Sequence, residues 1–559
     1  MISGRRFWTG VTLLLCLMAW AQVSTALKET QTWDEAFDLA AGYSYWKTGD
    51  FRLNREHPPV GKLIDAIPLL FMKPTLPLSH PSWAAADNPV FGYEFLYSNR
   101  IDADTLLFAG RAMTILTVLL AGLAFAIWMR GQFGPAAALI ALTFFAFDPN
   151  LIAHGRYVTS DAFFTIFFFF ACAAWGGYLK APGWRRLLFA GLLTGLACAS
   201  KTPALLLPPV FVLLLLVRWW QQPDLFRWTR VVGAAGALLI STVAVVALAY
   251  APEAGKLIPV TRAYRLAHPE VPMLADHVER GTVVGDLLER AGHKLGLQAH
   301  PYLLALDTVA SHNMRGHQSY LLGQRMNEGV WYYFPVVFAV KTPCAVLLAL
   351  AVALIAGIRR WRHFDILWFA LTIPPLVHFG VSMAARIDIG VRHILPVYPF
   401  LYVGLGVFLA SLRMRWLPAG VLLLLAVESL AIYPHYLAFF NWFSGGAGNG
   451  PKYLVDSNID WGQDVKKLRA WLAERGTHTV HICFFGRTNM SYYGLEAYEL
   501  PTDDEQWRAL DGFAAASVTP LQGVYVPPEK TARLRSLKPV AKVGYSIYVY
   551  DFRKGTKGP

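Results

Sequence analysis

Charged residues are scarce in this chain, and their scarcity excludes an ordinary soluble protein. Only 16% of the 559 residues are Asp, Glu, Lys or Arg, while 55% are hydrophobic and the mean hydropathy is +0.38. Soluble domains carry about 25% charged residues. The apolar residues occur in runs of roughly 16 to 25, the length that a helix needs to cross a bilayer. The sequence therefore predicts a polytopic α-helical membrane protein.

Other features are also missing. The five cysteines, four of them in apolar runs, provide no disulfide framework. There is no Walker A motif, Rossmann fingerprint, low-complexity tract or fixed-period repeat, so nothing indicates a cytoplasmic nucleotide as substrate. The net charge of +13 is compatible with nucleic acid, but in a membrane protein it more often reflects basic inner loops and anionic lipid. We expect membrane lipids, and no nucleic acid, as partners.

About eleven membrane spans are predicted, with the N-terminus in the cytoplasm. Every inner loop is then basic, as the positive-inside rule requires, and the C-terminal region lies outside. An alternative for the first span is a cleaved signal peptide. The spans are approximately Phe7–Ala26, Thr105–Met129, Pro135–Ile152, Asp161–Leu179, Leu187–Ser200, Thr202–Val217, Val231–Tyr250, Pro335–Ile358, Phe364–Met383, His393–Leu412 and Trp416–Tyr433.

The chain divides into two predicted regions. Residues 1–434 form the membrane region, with long outer loops at about 27–104 and 251–331. Residues 435–559 form a small extracytoplasmic α/β domain: "VDSNIDWGQDVKKLRAWLAERG" predicts an amphipathic helix, and "HTVHICFFG", "LQGVYVP" and "AKVGYSIYVYDF" predict strands. The glycine-rich linker "FFNWFSGGAGNG" suggests that this domain moves relative to the membrane region.

Several outer cations depart from the positive-inside rule. Arg156, Lys201 and Arg392 lie in outer segments, and Lys341 lies within the outer part of a span. Lipid head-group contact is one explanation, and binding of an anionic substrate is the other. Both Lys-Thr-Pro sequences place a lysine beside a helix start, where an ammonium group and free N–H groups favour binding of phosphate. An alternative for the second sequence is that Pro343 kinks a longer helix. Asp161 is interpreted as a helix cap or as a partner of Arg156.

An Asp34-Glu35 pair follows the first span at the outer membrane edge. A solvated acidic loop is the simplest explanation, but carboxylates and cations on one face also suit displacement of a phosphate from carbon. A partly buried carboxylate would take the proton of the attacking hydroxyl. An enzyme outside the cell must take its activated group from a carrier it can reach, and a lipid phosphate is the obvious one.

The Asp-Glu pair, "REHPPVGKLI", "HGRYVTSDAFF" and "RHILPVYPFL" together resemble the protein O-mannosyltransferases and the lipid A aminoarabinose transferases. These GT-C membrane enzymes use polyprenyl-phosphate sugars. The resemblance implies that Asp34 is the base of an inverting displacement and that Glu35 supports it. It implies that Glu56 and His57 line the donor site, that Arg111 meets the lipid phosphate, and that Arg156 and Asp161 match the Arg-Tyr and following Asp of the family. The outer cations Lys201, Lys341 and Arg392 complete the predicted donor and phosphate site.

The resemblance is incomplete outside the membrane region. A divalent metal occurs in some relatives, and Glu56 with His317, or with His312, could hold one, although polar loop histidines are the plainer interpretation. "SNIDWGQD" lies where oligosaccharyltransferases carry an acceptor-binding motif, so Asp460, Trp461 and Asp464 are weak candidates for acceptor contact; a helix-start turn is the alternative. We expect the C-terminal domain to help choose the acceptor and not to perform the chemistry.

Two other functions remain open from the sequence. One is an oligosaccharyltransferase with a lipid-diphosphate donor, for which Glu253, Glu270, Asp276 and Glu279 of the second outer loop could supply metal ligands. The other is a transporter or flippase of lipid-linked sugars, which would explain the spans and the cations but does not need the acidic pair. We expect a multi-pass protein of the inner (plasma) membrane with its site on the periplasmic face. Neither the sugar nor the acceptor, whether protein, lipid or glycan, follows from the sequence.

Overall fold

The computed structural model describes residues 2–223, 228–251, 301–358 and 365–553. Each predicted span within these ranges is a helix or a pair of consecutive helices. The helices are Gly4–Ala26, Ala103–Phe133, Pro135–Phe147, Pro149–His154, Ser160–Lys180, Trp184–Cys198, Leu207–Gln221, Trp228–Ala249, Tyr333–Lys341, Cys344–Ile358, Ile366–Met383, Tyr398–Ala410 and Trp416–Ala431. The predicted polytopic helical membrane fold is confirmed.

The number of crossings is smaller by a strict criterion than the eleven predicted. Within the described ranges, seven helices are long and apolar enough to cross a bilayer, or eight if the bent pair around residues 342–343 is counted as one span. Three further predicted spans are helices of only 13, 15 and 16 residues. A straight crossing takes about 20 residues, so these short helices do not establish eleven spans.

Several spans are interrupted at one end, and the interruptions carry polar groups. Lys201 is extended and precedes a 3-10 helix, Thr202–Leu206, so the helix cap falls one residue earlier than the Lys-Thr-Pro pattern predicts. The helices on either side of Thr342 and Pro343 meet at 111°. A second 3-10 turn, Val391–Val397, leads into helix Tyr398–Ala410. Proline lacks an N–H donor and ends regular helix at these points.

The first predicted outer loop is a compact layer of short helices. Its members are Glu35–Thr48, Val60–Asp65, Ile67–Met72, Pro81–Ala84 and Asn88–Tyr97. A Cβ at Gly42 would lie 2.1 Å from the Lys62 carbonyl oxygen, so only glycine allows the first two of these helices to meet this closely. The layer packs its apolar face on Leu106 and Leu107 of the long helix that follows. Of the second predicted outer loop, residues 252–300, with Glu253, Glu270, Asp276 and Glu279, lie outside the described residues.

The C-terminal region contains the predicted sheet. Strands β3 (Thr479–Cys483), β4 (Glu496–Tyr498), β5 (Phe513–Ser517), β6 (Ala541–Val543) and β7 (Ile547–Asp551) form a sheet of order β4-β3-β5-β7-β6. A separate hairpin pairs β1 (Ser319–Leu321) with β2 (Gln324–Met326). The predicted amphipathic helix is Val465–Ala473, and further short helices are Pro301–Arg315, Asp504–Ala509, Val518–Leu521 and Ala532–Arg535.

One strand prediction in this region is wrong. "LQGVYVP" is the end of helix Val518–Leu521 and a turn with Tyr525 in a left-handed conformation, not a strand. The strand beside it, β5, has the sequence FAAAS and lacks the β-branched residues that signal strands. All five of its residues are buried, so its position in the centre of the sheet comes from packing rather than from propensity.

The glycine-rich linker is packed against the helices rather than extended as a free tether. Asn441 is fully buried, and its amide nitrogen donates to the carbonyl oxygens of Ala339 at 2.6 Å and Thr342 at 2.8 Å. Lys341 donates to the carbonyl oxygens of Leu437 at 3.0 Å and Asn458 at 2.7 Å. The C-terminal sheet region is therefore attached to the broken span through buried hydrogen bonds.

Candidate functional site

A cavity of about 570 Å³ lies where the outer helical layer, the interrupted spans and the C-terminal region meet. It brings together eight of the residues that the sequence analysis named as site candidates. They are Asp34, Glu56, His57, Lys201, His312, His317, Arg392 and Trp461. A volume of this size is typical of small-molecule sites.

The charged centre of the cavity is a row of alternating carboxylates and cations. Arg392 donates from Nη1 to Asp34 Oδ2 at 2.9 Å, and the same nitrogen lies 3.7 Å from Asp161 Oδ2. Lys201 Nζ is bonded to the other Asp161 oxygen. The formal charges of these four side chains cancel. Arg392 also lies 4.4 Å above the Trp461 ring, and its buried Nε has no hydrogen-bond partner among the described residues.

Asp34 is placed at the cavity wall by its position at the start of a helix. It is the residue before helix Glu35–Thr48, and its carbonyl oxygen accepts the Asp38 N–H at 3.1 Å. Its side chain is 23% exposed. Burial raises the pKa of Asp34, and the ion pair with Arg392 opposes that rise. The carboxylate is therefore more basic than that of an ordinary aspartate, and Arg392 offsets part of the effect of burial.

Glu35 points away from the cavity, into a buried pair with Arg111. Arg111 Nε and Nη2 donate to the two Glu35 oxygens at 2.8 and 2.6 Å, and both side chains are at most 1% exposed. Arg111 also donates to the carbonyl oxygens of Ala26, Glu29 and Thr30. The pair therefore holds the segment of residues 26–35, which we call the base segment. Arg111, predicted to meet phosphate, does not line the cavity.

Three other residues of the predicted donor and phosphate site, Arg156, Asp161 and Lys341, also lie outside the cavity lining. Arg156 donates from Nη2 to Glu29 at 2.7 Å and, like its partner, is almost completely buried. Asp161 bonds Lys201 and not Arg156. The aspartate is therefore the partner of a cation, as one of the two interpretations held, but the cation is Lys201 and not the predicted Arg156. Lys341 binds the two backbone carbonyls described above.

The "EHPP" segment lines the cavity through Glu56 and His57. Lys62 Nζ donates to the His57 carbonyl oxygen at 2.8 Å and to that of Asn54, which fixes the turn. Burial and the nearby Lys201 charge lower the pKa of His57 to about 3, so its imidazole is neutral at physiological pH. The bond from His312 lowers the pKa of Glu56 to about 2 against the effect of burial.

The possible metal ligands form a pair rather than a complete set. His312 Nδ1 lies 3.1 Å from Glu56 Oε1, and the rings of His312 and His317 are 5.4 Å apart. His317 itself contacts Tyr525 and the Gln318 carbonyl oxygen. Within the described ranges no group of three His, Cys, Asp or Glu side chains is placed to hold a metal ion.

Of the three predicted acceptor contacts, only Trp461 reaches the cavity. Asp460 is fully buried, and its Oδ2 accepts the Thr519 N–H at 3.1 Å. Asp464 is also buried, and its Oδ2 accepts from the Ser546 hydroxyl at 2.6 Å. Both aspartates therefore support the turn that carries Trp461.

The cavity also contains polar residues that the sequence analysis did not single out. They include Asp38, Asn54, His378, His393, Asp456 and Tyr525. His393 follows Arg392 in "RHILPVYPFL", and Asp38 lies one helical turn after Asp34. Their closeness in sequence to predicted site residues could therefore have identified both. Asp456 and Tyr525 are 69 residues apart and hydrogen-bonded, and no spacing rule connects them.

The comparisons with known proteins come from a family model and from solved structures. The model of the dolichyl-phosphate-mannose-protein mannosyltransferase family matches residues 84–252. This region holds Arg111, Arg156, Asp161 and Lys201, and excludes Asp34 and Arg392. Among curated proteins, none matches the chain.

Three solved structures cover most of the chain at low identity. ArnT from Cupriavidus metallidurans bound to undecaprenyl phosphate is 14% identical, with 98% of this chain and 99% of that chain covered and a TM-score of 0.48. The apo form of ArnT is 13% identical, with 98% of each chain covered and a TM-score of 0.48. The oligosaccharyltransferase of Archaeoglobus fulgidus is 12% identical, with 94% of this chain and 72% of that chain covered and a TM-score of 0.48.

The family match agrees with the resemblance predicted from the sequence motifs, most of which lie outside the matched residues. It covers under a third of the chain, including the second to the fifth of the seven long apolar helices of the described residues. The chain is therefore a membrane glycosyltransferase that resembles the dolichyl-phosphate-mannose-protein mannosyltransferases.

Proposed function

We propose that this enzyme transfers a sugar from a polyprenyl-phosphate carrier to an acceptor hydroxyl on the outer face of the plasma membrane. The observation that carries the proposal is the Asp34–Arg392–Asp161–Lys201 row, of which Asp34, Arg392 and Lys201 line one cavity. The row combines a carboxylate base with two cations of the kind that bind phosphate. The matching family is named for a dolichyl-phosphate-linked mannose, which supports the same class of donor.

Asp34 acts as the general base in a single displacement. It takes the proton of the acceptor hydroxyl as the oxygen attacks the anomeric carbon, and the bond from that carbon to the phosphate oxygen breaks with its electron pair. Attack opposite the leaving group inverts the anomeric configuration. A base contributes typically 10²–10⁴-fold to such a step.

Arg392 links the base to the leaving group through charge. The phosphate carries one negative charge as a diester in the donor and gains a second as it leaves. Asp34 becomes neutral in the same step, because it receives the proton. Arg392 therefore loses its carboxylate partner as negative charge appears on the phosphate, and its partnerless Nε is available to the new charge.

Lys201 and His57 complete the proposed phosphate site. Lys201 supplies a charge fixed by Asp161, and the neutral imidazole of His57 supplies a hydrogen bond without adding charge. The leaving polyprenyl phosphate needs no proton, because its own pKa is low and it is stable as an anion. The pair of Glu56 and His312 is not a full metal-ligand set among the described residues.

The proposed sidedness rests on the basic loops of the sequence and on the C-terminal region. The positive-inside rule places Asp34 and the sheet region outside. We propose a membrane region of residues 1–434 and an extracytoplasmic domain of residues 435–559, with the acceptor entering between them. A protein, a lipid or an envelope glycan can each present the hydroxyl.

The testing experiment compares two labelled donors with purified full-length enzyme in detergent. We expect transfer from polyprenyl-monophosphate mannose, no transfer from a polyprenyl-diphosphate oligosaccharide, and loss of transfer in Asp34→Asn. Asp50→Asn is a matched control, because Asp50 lies in the same outer layer, pairs with Arg52 at 2.7 Å and is 22% exposed. Transfer from the diphosphate donor alone would contradict the proposal.

A further inference from the structure

One side of the cavity is formed by Asp456 and Tyr525 of the C-terminal region, which the proposed phosphate site does not use. The Tyr525 hydroxyl donates to Asp456 Oδ2 at 2.6 Å and lies 3.1 Å from His317 Nδ1. All three residues line the cavity. They come from three distant parts of the chain, and the fold brings them together at one place.

The backbone at this place is strained in two positions. Asp456 has φ 58° and Tyr525 has φ 63°, which is uncommon for a non-glycine residue and unfavourable for an aromatic one. Hydrogen bonds hold both conformations: Asp456 N–H donates to Thr519 Oγ1 at 3.1 Å, and Tyr525 N–H donates to Gln318 Oε1 at 3.1 Å. Strain that is held in this way is concentrated at binding and catalytic sites.

Asp456 differs from the other acids at the centre of the cavity. Asp34 and Asp161 each pair with a cation, whereas Asp456, 8% exposed, has no cation within 4.0 Å among the described residues. Among the described residues its oxygens accept from two neutral donors, the Tyr525 hydroxyl and the Ser457 N–H. A buried carboxylate at a cavity surface can accept hydrogen bonds from ligand hydroxyl groups, and a tyrosine hydroxyl and an imidazole beside it can also donate them.

An aromatic wall continues from Tyr525 to the base segment. Phe485 stacks between Tyr525 at 5.4 Å and Trp33 at 5.0 Å, measured between ring centroids. Trp33 immediately precedes Asp34, so this wall leads from Asp456 to the base. Polar groups at one end and apolar ring edges along the side suit a sugar ring, which has hydroxyl groups at its rim and apolar C–H groups on its faces.

A peptide acceptor is less well matched by this surface. One recurring way in which proteins bind extended peptides is addition of the peptide to an exposed sheet edge. The edge strands of the large sheet, β4 and β6, contribute no residue to the cavity lining.

We propose that Asp456, Tyr525 and His317, with the wall of Trp33 and Phe485, form an acceptor subsite for a sugar ring, so that the acceptor is a glycan. The inference rests on the proposed function, because it assumes that Asp34 activates the acceptor. It replaces Asp460 and Asp464, which face away from the cavity, as the acceptor contacts of the C-terminal region.

The test measures acceptor binding separately from donor chemistry. Saturation-transfer NMR with full-length enzyme in detergent reports binding of a panel of methyl glycosides, namely glucoside, galactoside, mannoside, N-acetylglucosaminide and arabinoside, with and without undecaprenyl phosphate. We expect at least one glycoside to bind, and Asp456→Asn and Tyr525→Phe to weaken it about tenfold or more, as loss of a charge-assisted hydrogen bond does. Undecaprenyl phosphate affinity should change less than twofold in both variants, which shows that they are folded.

Tyr492→Phe is the matched control. Tyr492 donates to Asp102 at 2.7 Å in a similar tyrosine–aspartate pair outside the cavity, and its loss should leave glycoside affinity unchanged. Wild-type enzyme that binds no glycoside of the panel, binds a threonine peptide instead, or is insensitive to both cavity variants overturns the inference. Failure of the proposed function is a different result, namely no binding of undecaprenyl phosphate by the wild type.

Discussion

Replacing Glu35 or Arg111 should destabilise the enzyme and disable its base while leaving the phosphate site intact. Each side chain is at most 1% exposed, so a single replacement leaves a buried charge without its partner. Removing one member of such a pair typically costs about 3–5 kcal/mol. Arg111→Met also removes the donors to three carbonyl oxygens of the base segment, so it should be the more harmful change.

A double-mutant cycle measures how much the interaction between Glu35 and Arg111 contributes to stability. Glu35→Gln, Arg111→Met and the double variant are compared with wild type by apparent melting temperature in detergent. Each single change should lower it by several degrees, since about 1 kcal/mol corresponds to roughly 2–4 °C in domains of 150–250 residues and to less in larger proteins. The double variant should be less unstable than the sum of the singles by about 0.5–3 kcal/mol, because neither charge is then left alone.

Donor binding distinguishes the two roles of Arg111, support of the base segment as the structure indicates and contact with the donor phosphate as the sequence predicted. If Arg111 supports the base segment, folded variants should bind undecaprenyl phosphate normally and fail in transfer, because Asp34 is displaced. A variant that melts within about a degree of wild type but loses undecaprenyl phosphate affinity would show that Arg111 is a phosphate ligand, and our reasoning from its hydrogen bonds would be refuted.

Four other outcomes are expected. Asp34→Asn should lower transfer by roughly 10²–10⁴-fold without loss of donor affinity, measured by single-turnover transfer of labelled sugar; a residual rate above a tenth of wild type would contradict the assignment. Lys201→Gln and Arg392→Gln should each weaken undecaprenyl phosphate binding about tenfold, whereas Arg52→Gln, in the pair outside the cavity, should not. Transfer should fall as the pH is lowered through the raised pKa of Asp34, so the acidic limb of the pH–rate profile should lie above the usual aspartate range. His57, with a pKa of about 3, is already neutral above pH 5. His57→Asn should therefore leave the acidic limb in place. Deletion of residues 451–559 should abolish transfer to every acceptor, including small ones, because Trp33 and Arg392 both lose Trp461; a truncated enzyme with normal transfer to a small acceptor would contradict this.

The elements of the fold were predictable where the signal is local. Runs of apolar residues locate the helices, and the helix after "SNIDWGQD" follows from its amphipathic pattern. Strand β5 was missed because three consecutive alanines have no strand preference, and its neighbours place it in the sheet. The number of spans was not predictable, because short apolar helices satisfy a hydropathy pattern without the length for a crossing.

The site was predictable in its residue types but not in their pairing. Asp34, His57, Lys201 and Arg392 were singled out and line one cavity. The sequence contains equally plausible arginines at positions 111 and 156, and their roles depend on Glu35 and Glu29, which are 76 and 127 residues away. Only the folded chain shows which cations are already satisfied by buried carboxylates and which remain at the cavity.

The hydrogen bonds between the base segment and the turn of residues 461–463 also constrain when the enzyme becomes competent during its synthesis. Trp33 N–H donates to the Trp461 carbonyl oxygen and Thr30 N–H to that of Gln463, both at 2.9 Å. The Thr30 hydroxyl bonds the Gly462 carbonyl oxygen, 432 residues further along the chain. A growing chain therefore contains Asp34 long before it contains the backbone that holds the base segment in place. On the mechanism that we propose, unfinished chains in the membrane would not consume donor, and catalytic activity would begin only when the C-terminal region has folded onto the helices.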